Sequence, residues 1–200
     1  MTHHDSHPHT HHHHTDNRKV LMISFALISL FMIIEFLSGY YFNSLALMAD
    51  AGHMANDSLA LLIALIALYL NEKNQNRIAV LNGLSLIVVA LYIIWEAVER
   101  WQHPRTIQSL PMLIVAVVGL CVNVIVAWMM LKGDLHNLNL RAAYLHVLAD
   151  LLGSIVAILA GLSIFLFGWV WVDALASLVL SLFIFKSGYA VTKEAILSLK

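Results

Sequence analysis

An all-α bundle of six membrane-crossing helices is the fold class this sequence predicts, and three observations predict it. Of its 200 residues, 60% are hydrophobic and only 12% are charged, where a soluble domain carries about 25% charged residues. The mean hydropathy is +0.81. Six segments reach the roughly 20 mostly apolar residues that a spanning helix needs: 20–42, 45–70, 78–98, 110–131, 140–167 and 169–191. No ten-residue alternation suggests a barrel, and an open sheet would leave backbone groups unsatisfied in lipid.

The first span follows a polar stretch, 1–19, holding eight histidines: His3, His4, His7, His9, His11, His12, His13 and His14. Its lack of apolar periodicity predicts a disordered tail. Histidine-rich tracts bind divalent metal weakly in many geometries, so metal capture near a pore is one reading, beside an inert polar tail or an expression tag. Asp5, Ser6, Pro8 and Thr10 interrupt the run, which argues against a tag. Arg18 and Lys19 lead straight into a span longer than a signal peptide's apolar core, so no cleavable leader is expected.

Short connections make neighbouring spans antiparallel, with residues 20–200 forming one domain. Arg18, Lys19, Lys73, Arg77, Lys132, Arg141, Lys186, Lys193 and Lys200 then fall on one side, and only Arg100 and Arg105 on the other. The positive-inside rule puts both termini in the cytoplasm. A net charge of −1 makes nucleic acid an unsuitable partner, and the single cysteine, Cys121, excludes an internal disulfide.

The polar residues inside the spans carry the functional signal. His53 and Asp57 in the second span, and His146 and Asp150 in the fifth, share the spacing H-x-x-x-D. Residues i and i+4 lie on one helical face, so each pair aims an imidazole and a carboxylate at one point. Two facing pairs would form the tetrahedral N/O shell that zinc accepts. Burying ionisable groups at membrane depth costs about 2.5–3.5 kcal/mol each on insertion scales, which favours a functional site over two unrelated hydrogen-bonded pairs. Glu35, Asp50, Asn123 and Asp173 are candidates for an ion or proton pathway. Asp50 lies seven residues before Asp57, on the same face, while Asn123 and Asp173 also suit helix-to-helix hydrogen bonds. Glu96 sits near a span end, where it could snorkel to the interface.

The stretches SLALMADAGHMAND (44–57) and RAAYLHVLADLLGS (141–154) resemble the second- and fifth-helix signatures of the cation diffusion facilitators. Asn82-Gly83-Leu84, Trp95-Glu96-Ala97 and Asn123 fall where that family has them, so the resemblance covers nearly everything after the tail, and the bacterial zinc-efflux branch is the most similar. The resemblance implies a cation-efflux transmembrane-domain fold in a bacterial inner (plasma) membrane. It implies His53, Asp57, His146 and Asp150 as transport-site ligands, zinc preferred over cadmium, and exchange of the metal for protons. Family members usually have a longer link between helices two and three than 71–77, and continue past helix six into a soluble metal-binding domain. The transmembrane part alone is matched here. Zinc and other divalent cations, protons, membrane lipid and a second copy in a homodimer are the expected partners.

Zinc/proton antiport is the leading expectation, with Zn²⁺ as transported substrate. The alternatives are a transport-inactive truncated membrane partner or metal sensor of the same family, and an intramembrane metalloenzyme. Against an enzyme stands the need of a catalytic zinc for a general base, as in H-E-x-x-H, a motif this sequence lacks.

Overall fold

The computed structural model describes residues 11–66, 72–133 and 138–199. Among them are six helices and no strand: α1 (His11–Tyr41), α2 (Leu45–Ile66), α3 (Glu72–Gln102), α4 (Ser109–Leu131), α5 (Leu138–Phe167) and α6 (Trp171–Ser198). Two helices exceed their expected bounds. The stretch 11–19 is helical where a disordered tail was expected, and α3 begins at Glu72 where 71–77 was expected to be a link. Both extensions have one cause. A nucleated apolar span adds polar residues by cheap propagation, and neither 11–19 nor 72–77 contains a Gly or Pro to stop it. Residues 1–10, with His3, His4, His7 and His9, lie outside the described residues.

The helix ends follow from local chemistry. Asn43 takes a left-handed conformation (φ 58°) between α1 and α2, one that Asn tolerates better than most residues. Ser44 then caps α2, its Oγ accepting from the Leu47 N–H at 3.2 Å. Gly168 (φ 68°) closes α5, its N–H donating to the Ile164 carbonyl at 2.8 Å. Pro111 stands in the first turn of α4, where no intrahelical donor is lost.

Packing places α2 at the centre. It meets α1, α3, α5 and α6, while α4 lies against α1 and α5, and α3 runs along α6. The α3–α6 contact is backbone to backbone. A Cβ at Gly83 would stand 2.2 Å from Thr192 Oγ1 and 2.8 Å from the Gly188 carbonyl, so glycine is what permits the approach. Because neighbours surround α2, Leu45, Ala46, Leu47, Ala49, Asp50, Ala51 and Met54 are all buried.

Among the described residues, five helices have the length and apolarity to cross a membrane. Within its described residues α2 falls short, because Asp50, His53, Asn56 and Asp57 interrupt its apolar sequence. These residues fall on or next to the first half of α2, which is packed among other helices and can carry them, whereas Leu59 and Leu62 further along are exposed. The surrounding helices show the reverse pattern: Leu30, Leu81, Val88, Ile114, Leu152 and Leu182 point outward. Tyr40, Tyr41, Trp95, Trp101, Trp169 and Trp171 gather towards the end where α2 begins, in the manner of an interfacial aromatic belt.

Candidate functional site

Polar side chains descend α2 from Ser44 to Asn56, a rise of about 18 Å. At the top, the Asp173 carboxylate of α6 takes three donors from the start of α2: Ser44 Oγ (2.7 Å), Leu45 N–H (2.8 Å) and Ala46 N–H (3.2 Å). A negative charge at a helix N-terminus complements both its free N–H groups and its dipole. Asp173 therefore joins helices as a cap supplied from another element.

Next to this cap lies an ionic cluster. Glu96 is buried and receives Arg100 Nε at 3.0 Å and an Arg105 terminal nitrogen at 3.2 Å, while Arg100 also donates to the Asn43 carbonyl. The expected snorkelling anchor is thus an inward ion-pair centre. Two arginines give its carboxylate charge partners that lipid headgroups would otherwise have supplied.

About two turns below Ser44 stands Asp50, fully buried, with Glu35 of α1, Asn123 of α4 and Ser154 of α5 around it and equally buried. The Glu35 carboxyl stands close enough to that of Asp50 for the two to interact electrostatically. Ser154 Oγ donates to Asp50 Oδ2 at 3.5 Å and receives the Asn123 amide N–H at 3.3 Å. Gly153 makes room for this arrangement, since a Cβ there would stand 2.0 Å from Asp50 Oδ1.

One turn further along both helices, His53 Nε2 comes within 4.0 Å of Asp150 Oδ1. That joins one member of each H-x-x-x-D pair. His53 is half-buried and lines a cavity of about 130 Å³ whose other walls are apolar side chains of α5 and α6. Asp150 is 1% exposed, whereas His146, one turn away on α5, is exposed. The side chain of Asp57 lies outside the described residues. Among those described, no three His, Cys, Asp or Glu side chains converge on one point.

On the other side of α2, Asn56 donates to Ser187 Oγ of α6 at 3.0 Å and accepts from Asn82 Nδ2 of α3 at 3.3 Å. This clasp fixes the rotation of α2 about its axis one residue before Asp57. Sequence reasoning gave no role to Asn56, Ser187, Gly153 or Ser154. The available signal was a run of small and amide residues next to the ionisable ones.

The chain matches the family model described as the cation efflux transmembrane domain over residues 21–200. It is 48% identical over 194 residues to the "Cadmium, cobalt and zinc/H(+)-K(+) antiporter" of Bacillus subtilis, covering 90% of this chain and 62% of that one. The zinc transporter ZitB of Escherichia coli is 37% identical over 209 residues, covering 98% of this chain and 67% of that one. The metal cation efflux system protein CzcD of Cupriavidus metallidurans is 36% identical over 200 residues, 94% of this chain and 63% of that one. The chain thus spans a little under two thirds of the first of these relatives. With five helices among the described residues apolar enough to cross a membrane and this match over nearly its whole length, it is a multi-pass membrane chain that belongs to the cation efflux family.

Proposed function

We infer that this protein exports divalent metal cations, zinc foremost, across the bacterial inner membrane in exchange for protons, and that His53, Asp57, His146 and Asp150 are the ligands in transit. The observation that carries this reading is the approach of His53 to Asp150 between two helices inside an otherwise apolar bundle. Imidazole nitrogen and carboxylate oxygen suit a borderline ion such as Zn²⁺. The exposed His146 and half-buried His53 support a shell that assembles around its ion and releases it, as transport requires. Relatives whose names specify zinc, and in one case protons and potassium, support the same substrate class.

The chemistry of exchange follows from the ligands. Zn²⁺ binds neutral imidazole and ionised carboxylate, so metal and protons compete for one set of atoms and metal affinity falls as pH falls. If the bundle rocks about α2, the site loads zinc from the cytoplasm and releases it where protons are more abundant. Glu35, Asp50 and Asn123 extend the polar path towards the end where α2 begins. By the Lys and Arg distribution that end is the outer one and both termini are cytoplasmic. His3, His4, His7, His9, His11, His12, His13 and His14 would then concentrate metal at the cytoplasmic mouth.

The test is zinc flux in reconstituted vesicles with an imposed pH gradient. Uptake should rise with the gradient and collapse when an ionophore dissipates it. Zinc binding with no flux would favour the sensor or inactive partner, and zinc-dependent hydrolysis that survives the collapse would favour an enzyme.

A further inference from the structure

At the level of His53, the facing sides of α5 and α6 leave between them the cavity of about 130 Å³. Leu152 and Val156 line it from α5, Val179, Leu180 and Phe183 from α6, and His53 of α2 supplies its one polar side chain. The rim belongs to the outside of the bundle, where Leu152 is 66% exposed and Val179 and Phe183 are exposed too. The inner wall does not, for Leu180 is only 6% exposed. The cavity is thus a cleft that leads from the outer surface of the helices to an imidazole of the ion site.

Its depth decides what lies outside the rim. Val179 and Phe183 follow Trp171 of the aromatic belt by 8 and 12 residues, which is about 12 and 18 Å of helix rise. The hydrocarbon core of a bilayer is about 30 Å thick, so the cleft opens near its middle, where only acyl chain is present. Water suits the cleft poorly, since a buried water needs several polar partners and these walls offer one imidazole. A dry cavity of about 150 Å³ with similar aliphatic and aromatic walls takes up benzene. Left empty, the walls would forgo their dispersion contacts. Hydrocarbon is therefore both at hand and matched to the lining.

We propose that the end of a phospholipid acyl chain occupies this cleft and forms the wall of the ion site between α5 and α6. With the chain in place the flank of His53 is dry, and a low dielectric strengthens the attraction of the site for a cation. As a wall of the ion site the lipid rests on the transport reading above; as a bound hydrocarbon it stands on the cleft and its depth.

The test is photolabelling of the full chain in phosphatidylcholine vesicles that contain a small share of phosphatidylcholine with a diazirine near the end of one acyl chain, followed by residue-level mapping of the adducts. Adducts are expected on Leu180, which lipid running over the outside of the bundle does not reach, as well as on the exposed Leu182. A diazirine placed next to the headgroup should label neither. Val179→Phe fills the rim with protein and should lower the Leu180 adduct at least about tenfold relative to that on Leu182. If this variant fails to fold, as judged by size-exclusion chromatography, Ala149→Leu narrows the cleft from α5 and should act in the same direction. No Leu180 adduct in the wild type, whatever the yield at Leu182, would overturn the proposal and leave the cleft to water, to a second copy or to the protein's own side chains. A Leu180 adduct unchanged in the filled variant would overturn it as well. Zinc flux under a pH gradient, measured on the same vesicles, separates the two readings. Flux without a Leu180 adduct defeats this proposal alone, whereas the adduct without flux under any gradient defeats the transport reading and leaves the bound acyl chain in place.

Discussion

The two sides of α2 are built from opposite materials. Towards α3 and α6 it is stitched by matched donors and acceptors: the Asp173 cap with its three hydrogen bonds, and the Asn56 clasp to Ser187 and Asn82. Towards α1, α4 and α5 it presents Asp50 to Glu35, Asn123 and Ser154, where acceptors outnumber donors among the described residues, and His53 to Asp150. A matched contact holds helices together, whereas an acceptor-rich one waits for a cation. Damage to the first side should appear as lost stability, and damage to the second as lost ion handling.

The strongest way to break that distinction is to remove an anionic ligand. Asp150→Ala and Asp57→Ala should each reduce zinc flux to the background of empty vesicles, because a partly neutralised site cannot offset the dehydration of Zn²⁺. Insertion and thermal stability should change little. Normal flux in either variant would remove that residue from the ligand set. A large fall in melting temperature would show that the acceptor-rich side is also structural.

Asp173→Ala tests the opposite side. It strips three donors at the start of α2 of their acceptor, two of them backbone N–H groups, and should cost about 2–3 kcal/mol. The expected readout is a lower midpoint in detergent melting curves, with the zinc-to-cadmium flux ratio of the surviving protein unchanged. A shifted ratio at normal stability would place Asp173 on the ion path after all.

Much of this arrangement was legible in the sequence, and the reasons it was not all legible are physical. Six helices follow from runs of apolar residues, and the i, i+4 spacing puts each His/Asp pair on one helix face. Helix ends were less legible at His11 and Glu72, since polar residues extend a helix without an apolar signal. Partners were the least legible. Asp173 meets Ser44 across 129 positions and Asn56 meets Ser187 across 131, and periodicity along one helix does not reveal which helix lies opposite. Glu96 illustrates the point: its interfacial position was readable, but its inward pairing with Arg105 depends on how the chain between α3 and α4 turns back.

A finer probe of the acceptor-rich side is His53→Asp. It replaces a borderline nitrogen donor with oxygen and gives the shell three carboxylates in place of two. The tetrahedral demand relaxes, so Cd²⁺ should gain on Zn²⁺ when both fluxes are measured in the same inside-out vesicles. A fixed ratio with both fluxes intact would mean that His53 does not touch the metal.

The smallest effect should come from the histidine-rich segment, which belongs to neither side of α2. Helix α1 begins at His11, so four of the eight histidines ride on a helical extension of the first span. His14 is 21 residues before Glu35, about 31 Å along the helix axis, too far to supply a ligand at the depth of the buried sites. Such a segment can only raise the metal concentration near the mouth. Deleting residues 2–15 should therefore raise the zinc concentration for half-maximal flux about two- to fivefold while leaving the maximal flux nearly unchanged. Deleting only 2–10 removes His3, His4, His7 and His9 and should give a partial shift. An unchanged concentration dependence would make the segment inert, and abolished flux would mean that it acts on the helices themselves.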